Sequence, residues 1–381
     1  MCNDAYLASI VSQFDNDNVG DDAIVDLIYT LAHSGDVIKF SNKVFDFAST
    51  GGPSSLTTIL VPLYLFGYGV SVINLAVPGR PAGAVDVLSQ IEGYRLDFLD
   101  DNRRKSDPFY IHLVADEHFA PLDKALFDYR KRVGKVNVPN LAIASLMSKK
   151  VASGASSVGL DVRVATFGNF GQSWDICVNN ARRFNRIANL LGIESTCFLS
   201  DANNPYQRYI GRGESLEALY EILVGTTDKQ LERHNMYCED IAWTMLRKSS
   251  VEMQSKQRTL KSCFEDNLML QGSNFSRFLD AVERVKNQPH HLIYAQEDGY
   301  ITYNLEKIRT HIVSQQSLEQ TTSKYPDPCG VTLLCEAGDY VQSGTPVLSI
   351  RSAYTKDTVF AHEFYFLQNK SPCIDKRKEV I

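Results

Sequence analysis

The 381-residue sequence has no apolar stretch long enough to span a bilayer. Its longest apolar run, from Thr58 to about Phe66, is bounded by Gly-rich stretches and falls short of the roughly 20 residues that a spanning helix needs. None of the eight cysteines (positions 2, 177, 197, 238, 263, 329, 335 and 373) forms a CxxC pair. Their scatter argues for reduced thiols, several of them in the core, and no metal or cofactor is expected. Positive charge is in deficit, with a formal net charge of -6. A general affinity for nucleic acid or anionic membrane needs a basic face, so any phosphate must be held by a local site. The N-terminal Met1-Cys2-Asn3-Asp4 shows no basic region followed by an apolar block, so no secretory signal is visible and a cytoplasmic location is expected. Internal repeats and low-complexity tracts are also missing.

What is present is an ordinary globular composition, 44% apolar and 22% charged, with ample material for a core. Single cores stop growing at roughly 250 to 300 residues, so two or three domains are expected. Apolar residues at helical spacing (Leu7, Ile10, Val11, then Ile24, Leu27, Ile28, Leu31) predict a helical start interrupted at Asp15 to Asn18. From Val44 the texture changes to a short strand, the turn Ser49-Thr50-Gly51-Gly52, a helix to Gly67 and a strand from Val70 to Leu75, which is a βαβ unit. The Gly/Pro-rich turn 78–83 leads into a helix from Val85 to Ile91. Residues Pro121 to Ala152 read as helical, split near Gly134 to Pro139, and Val158 to Val164 as a buried strand. Helix Arg182 to Leu190, strand Ser195 to Leu199 and helix Ser215 to Leu223 continue the α/β body. Short strands with turn signals from about Pro289 predict a β-rich C-terminal domain.

Two segments carry chemistry. In Asp46 to Thr58, Gly51 and Gly52 let backbone N-H groups approach an oxyanion, a helix start follows, and Ser49, Thr50, Ser55 and Thr58 offer hydroxyls. That pattern reads as a phosphate or sugar cradle, or as a tight strand-to-helix connection needing Gly and a Ser cap. In the second segment, Ser145 and Lys149 lie four apart on one helix face, and Arg130 can converge on them from the preceding helical region. The three together offer many donors, which suits the carbonyl oxygens and ring nitrogen of a pyrimidine base; a solvated basic face is the plainer alternative.

Phe45 to Gly52 resembles the Asp-Lys-His-Ser-Thr-Gly-Gly phosphate loop of the thymidine phosphorylase and pyrimidine nucleoside phosphorylase family. Leu31 to Ile38 is similar to the element preceding that loop, and Gly79 to Gly93 to the family's second Gly-rich loop. Ala120 to Lys124, the spacing of Arg130, Ser145 and Lys149, Leu199 to Pro205, and Asp327 through Pro346 follow in the family's order, so the resemblance covers nearly the whole chain. It implies a fold of the nucleoside phosphorylase/phosphoribosyltransferase type. The expected parts are a small all-α domain (1–38 with 118–152), a larger α/β domain with a mixed sheet (39–117 with 153–285) and a C-terminal α+β domain (286–381). It also implies a homodimer with interdomain clefts, in which Arg130, Ser145 and Lys149 bind the base and Arg130 and Lys149 stabilise charge on it as it leaves. Asp46 and Lys150 occupy the positions of an interacting acid and lysine, read as structural support.

Departures concentrate at the phosphate positions. The family's loop Lys and His fall on Phe47 and Ala48, and a phosphate-binding Ser and Thr on Asn74 and Ala84. Losing charge-assisted contacts worth roughly 1.5 to 3 kcal/mol each weakens an anion site, and Arg80 is a candidate replacement cation. The first reading is therefore N-glycosidic cleavage or transfer on a pyrimidine nucleoside or nucleotide with altered or absent phosphate dependence. The alternatives are an ordinary pyrimidine nucleoside phosphorylase or a catalytically inactive nucleoside-binding protein. His290-His291 reads as a surface pair rather than a metal site, because neighbours on a strand point to opposite faces. Asp116-Glu117-His118 reads first as solvated charges at a helix start and only secondarily as a source of a general acid, while Asp201 reads equally as a cleft acid and as the cap of the next turn.

Overall fold

A computed structural model describes residues 3–16, 18–78, 81–97, 108–168, 170–249, 251, 258–318, 324–353, 361–374 and 377–381. The chain opens with α1 (Asp4–Phe14) and α2 (Asp21–Ala32), broken where the Asp/Asn run predicted, and Asn3 caps α1 by accepting from the Ala5 N-H at 2.8 Å. The βαβ unit follows as β1 (Val44–Ser49), α3 (Thr57–Gly67) and β2 (Ser71–Ala76). Next comes α4 (Ala84–Leu88), shorter than its sequence pattern. The Ser89 hydroxyl and the Gln90 amide both donate to the Asp86 carbonyl at 2.9 Å, taking the acceptor that another helical turn would use. Strand β3 (Tyr110–Val114) precedes α5 (Pro121–Arg132) and α6 (Pro139–Ser153), each opening on a proline at its first position, where a missing N-H costs nothing.

The body continues through β4 (Ser157–Val164), α7 (Trp174–Leu190) and β5 (Glu194–Asp201). Helix α7 begins well before Arg182 because Ser173 caps it, accepting from the Ile176 N-H. Beyond it lie β6 (Tyr209–Ile210), α8 (Arg212–Val224), α9 (Lys229–Lys248), α10 (Leu260–Leu270) and α11 (Phe275–Lys286). The C-terminal region holds β7 (His290–Tyr294), β8 (Gly299–Tyr303), α12 (Leu305–Leu318), β9 (Cys329–Leu333), β10 (Tyr340–Val341), β11 (Pro346–Ser352), β12 (Tyr365–Gln368) and β13 (Lys378–Val380). Helix α12 lies inside the stretch whose turn signals predicted mainly strands. None of the described helices is long and apolar enough to cross a membrane.

The main sheet runs β3-β2-β1-β4-β5-β13, with β1 to β5 parallel and β13 antiparallel to β5, so it is mixed as expected. From β1 the chain winds outward through β2 and β3, then restarts on the other side of β1 with β4. This makes the β1/β4 boundary the topological switch point, where connections diverge and leave a crevice beyond the carboxyl ends of the strands. One face of the sheet packs Leu31, Leu141, Met147 and Phe184 from α2, α6 and α7. The other packs Leu60, Leu216, Ile241 and Phe264 from α3, α8, α9 and α10. Each such fully buried side chain contributes roughly 1.5 to 3 kcal/mol, which is what holds both helical layers to the sheet. A third core (Ile301, Ile308, Val331, Leu348) sits between α12 and two antiparallel sheets, β6-β9-β11-β7 and β10-β8-β12.

A buried guanidinium joins this region to α8. Arg351 of β11 donates to Glu214 at 2.6 and 3.0 Å, to both carboxylate oxygens of Asp327 at 2.9 Å, and to Gln288 at 2.7 Å. One turn along α8, burial and then the neighbouring Glu214 charge push the Glu217 carboxyl up to about 7. A raised carboxyl pKa favours the folded state fully below about 4.5, and that contribution is lost as pH rises through about 7. Glu217→Gln removes the penalty of the ionised form. Its stability advantage over wild type should grow between pH 5 and pH 8 to about 1 to 2 kcal/mol after allowance for partial exposure, as read by urea denaturation.

Candidate active site

At the switch point the end of β1 turns into Thr50-Gly51-Gly52 and then into α3. Gly51 and Gly52 adopt φ of 90° and 133°, values that L side chains rarely take, and Ser54 follows at 68°. The strained Ser54 is held by two hydrogen bonds: its hydroxyl donates to the Gln207 carbonyl at 2.7 Å and accepts from the Gln207 N-H at 3.2 Å. Next to it the Leu56 N-H donates to Nε2 of His234 at 2.9 Å, and burial holds that imidazole neutral with a pKa of about 3. The turn is therefore fixed from behind, with glycine backbone and the positive end of α3 facing forward.

Across from the turn stands the wall formed by α5 and α6. Both walls open onto one cleft of about 610 Å³, lined by Ser49, Thr50, Gly51, Gly52, Ser55 and Thr58 on one side and by Arg130, Ser145 and Lys149 on the other. Of the candidate site residues, only Arg80 lies outside the described residues; Met1, Cys2 and Gly79, also named from the sequence, lie outside them too. Arg130, 1% exposed, donates to the carbonyls of Lys135 (3.1 Å), Val136 (2.6 Å) and Leu141 (3.2 Å), so it also ties the α5–α6 connection. Three of its five N-H groups are used. Burial lowers its pKa to about 10.

Lys149 reaches Asp123 Oδ2 at 2.6 Å and the Ser145 hydroxyl at 3.0 Å, and also donates to the Ser145 carbonyl. Burial pulls this ammonium below its ordinary range, and Asp123 pushes back. All three of its hydrogens are engaged, so a ligand that bonds to it exchanges with one of these partners.

Lys150, the next residue, also lines the cleft and reaches to β1. It meets Asp46 of β1 at 2.7 Å with both groups fully buried, and burial pushes the Asp46 carboxyl up while Lys150 opposes it. Asn74, from β2, donates to Asp46 Oδ1 at 3.2 Å and to the Phe47 carbonyl at 2.6 Å. Strand alternation sends Phe47 into the core beside Phe198, fully buried, and Ala84 is buried at the start of α4. All four positions that depart from the family pattern still line the cleft, as a buried ring, two small apolar residues and an amide tied to β1.

Sequence reasoning missed Arg163 and the inner face of α12. Arg163, at the carboxyl end of β4, reaches over the glycine turn and lines the cleft. The signal was available, since Asp161 and Arg163 are charges two apart in an otherwise apolar strand and so share one face. Helix α12 contributes Glu306, Arg309, Thr310, Val313 and Ser314, a stripe at helical spacing. Asp116 accepts from the N-H of His118 (2.8 Å) and Phe119 (3.3 Å), and Asp201 accepts from Asn203 (2.7 Å) and Asn204 (2.8 Å); both organise turns. His290 and His291 bond separately to Ser349 and to the Ser352 carbonyl.

Proteins named pyrimidine-nucleoside phosphorylase from Staphylococcus epidermidis (strain ATCC 12228) and Staphylococcus aureus (strain USA300) are 26% and 25% identical to the chain, covering 88% of it and 81% of each relative. The resemblance read from the motifs is borne out by these relatives. Among solved structures, an anthranilate phosphoribosyltransferase from Thermus thermophilus superposes with a TM-score of 0.47 at 13% identity, covering 74% of this chain and 94% of that one. No protein-family model matches the chain.

Removing one member of a fully buried ion pair strands the other. Lys150→Met should cost about 3 to 5 kcal/mol in chemical denaturation, and adding Asp46→Asn should recover much of it. A single-mutant loss under about 1 kcal/mol contradicts this account of the pair.

Proposed function

We propose that the cleft carries out phosphorolysis of a pyrimidine nucleoside. One observation supports this above others: the glycine turn and the Arg130, Ser145, Lys149 wall face a single cleft of about 610 Å³, within the range that encloses small ligands. The relatives' name points the same way. Phosphate on the turn, held by Ser49, Thr58 and backbone N-H groups, attacks the anomeric carbon. The bond to the ring nitrogen breaks, its electron pair stays on the base, and that charge spreads onto the base oxygens. Lys149 and Arg130 neutralise it, and Ser145 orients the ring. Position 48 is an alanine with no proton to give, so the base leaves as an anion and is protonated afterwards. The working unit on this reading is a cytoplasmic homodimer, with domains 1–38 plus 118–152, 39–117 plus 153–285, and 286–381.

A second reading is transfer to water or another acceptor, with a nucleoside or a 5′-nucleotide as donor. It draws on Phe47, Ala48 and Ala84, apolar residues where the resemblance places phosphate contacts. The experiment is incubation with a panel of pyrimidine nucleosides and 5′-nucleotides, with and without phosphate, following free base by chromatography. Base released only with phosphate, together with a pentose 1-phosphate, is the expected result. Release without phosphate gives the second reading, and binding without release under any condition makes the protein a nucleoside-binding module.

A further inference from the structure

We propose that Arg163 supplies the positive charge of the anion half of the cleft, in place of the loop lysine whose position is taken by Phe47; the inference rests on the phosphate reading of the turn. Arg163 does not belong to the loop. It stands on β4, across the switch point from β1, and its guanidinium is brought over the turn by three bonds. Nε donates to Asp161 Oδ2 at 2.9 Å, Nη1 to the Gly52 carbonyl at 2.8 Å, and Nη2 to the Thr57 hydroxyl at 3.2 Å. Thr57 in turn donates to Asp161 Oδ2 at 2.7 Å, and the Tyr206 ring lies 5.9 Å from the guanidinium carbon.

Three features make this more than a structural arginine. The side chain is 4% exposed and still lines the cleft, so it is held rigid at the surface where an anion would sit. The carboxylate takes the Nε edge, so the Nη edge faces the loop, with one N-H left on each nitrogen. The Gly52 carbonyl accepts directly from Nη1, so the turn's backbone lies against the guanidinium, while it is the φ of 133° at Gly52 that calls for glycine. Arg163 is paired with Asp161 as Lys149 and Lys150 are with Asp123 and Asp46; what sets it apart is its place, since its Nη1 bonds to the turn itself at Gly52, whereas Lys131 pairs with Asp128 and Arg130 ties carbonyls of the α5–α6 connection. Arg309 lines the cleft from α12.

The test compares Arg163→Met, Arg163→Gln and Arg163→Lys with wild type. It measures inorganic phosphate binding by calorimetry and the KM values for phosphate and nucleoside. Loss of the charge should weaken phosphate by about tenfold or more in both the Met and Gln variants, leave the nucleoside KM within about twofold, and be largely reversed in the Lys variant. The Lys variant retains the charge and loses the fork of bonds, so its recovery separates charge from scaffolding. Unchanged phosphate affinity in a folded Met or Gln variant overturns the proposal, as does an equal loss for phosphate and nucleoside, or a Lys variant no better than Met. Wild-type protein that neither binds nor uses phosphate overturns the phosphorolysis reading as well, whereas phosphate dependence insensitive to Arg163 overturns this inference alone.

Discussion

The ion pair between Asp46 and Lys150 sets the distance between the two walls of the cleft. Asp46 lies on β1, three residues before the strand ends at Ser49, and Lys150 directly follows Lys149 on α6. With both groups fully buried and 2.7 Å apart, neither can move without stranding a charge in the interior. Replacing such a pair by well-packed apolar residues is often neutral or stabilising, so stability alone does not account for it. Its effect here is registration: it fixes the strand that carries the glycine turn against the helix that carries Ser145 and Lys149.

That registration divides the chemistry cleanly. The turn carries backbone N-H groups, hydroxyls and a helix start, the donors the proposal assigns to a compact anion, while the facing wall carries the side-chain donors it assigns to a planar ring. Lys149 is kept in place by Asp123 and Ser145 before any ligand arrives, so the proposed base binding trades one hydrogen bond for another and adds little ordering cost. On the proposed anion side, the apolar residues at 47, 48 and 84 leave the burden to backbone and to the charge we assign to Arg163 on β4. Strands on either side of the switch point thus share one site, which is what this sheet order favours.

Much of this was legible from residues alone. The β1–turn–α3–β2 unit follows from an apolar run meeting Gly51-Gly52, and Ser145 and Lys149 share a face because four residues make about one helical turn. Other features were hidden for physical reasons. Phe47 aligns with a loop position, but whether it faces cleft or core depends on strand register, which one residue's shift would reverse. Arg130 reads as a ligand-binding arginine, while its bonds to Lys135, Val136 and Leu141 are backbone contacts that leave no trace in residue types. The reach of α12 over the cleft comes from packing of its Ile308 and Ile312 face against the C-terminal strands, a contact between segments far apart in sequence.

The most direct test of the two-walled cleft is a crystal structure of the protein grown with phosphate and a pyrimidine base. The account predicts phosphate seated on the Gly51-Gly52 turn within hydrogen-bond distance of Ser49 or Thr58. It also predicts the base on the opposite wall, bonded to Ser145 and Lys149. Phosphate bound away from the turn, or a base that ignores the α5–α6 wall, would contradict it.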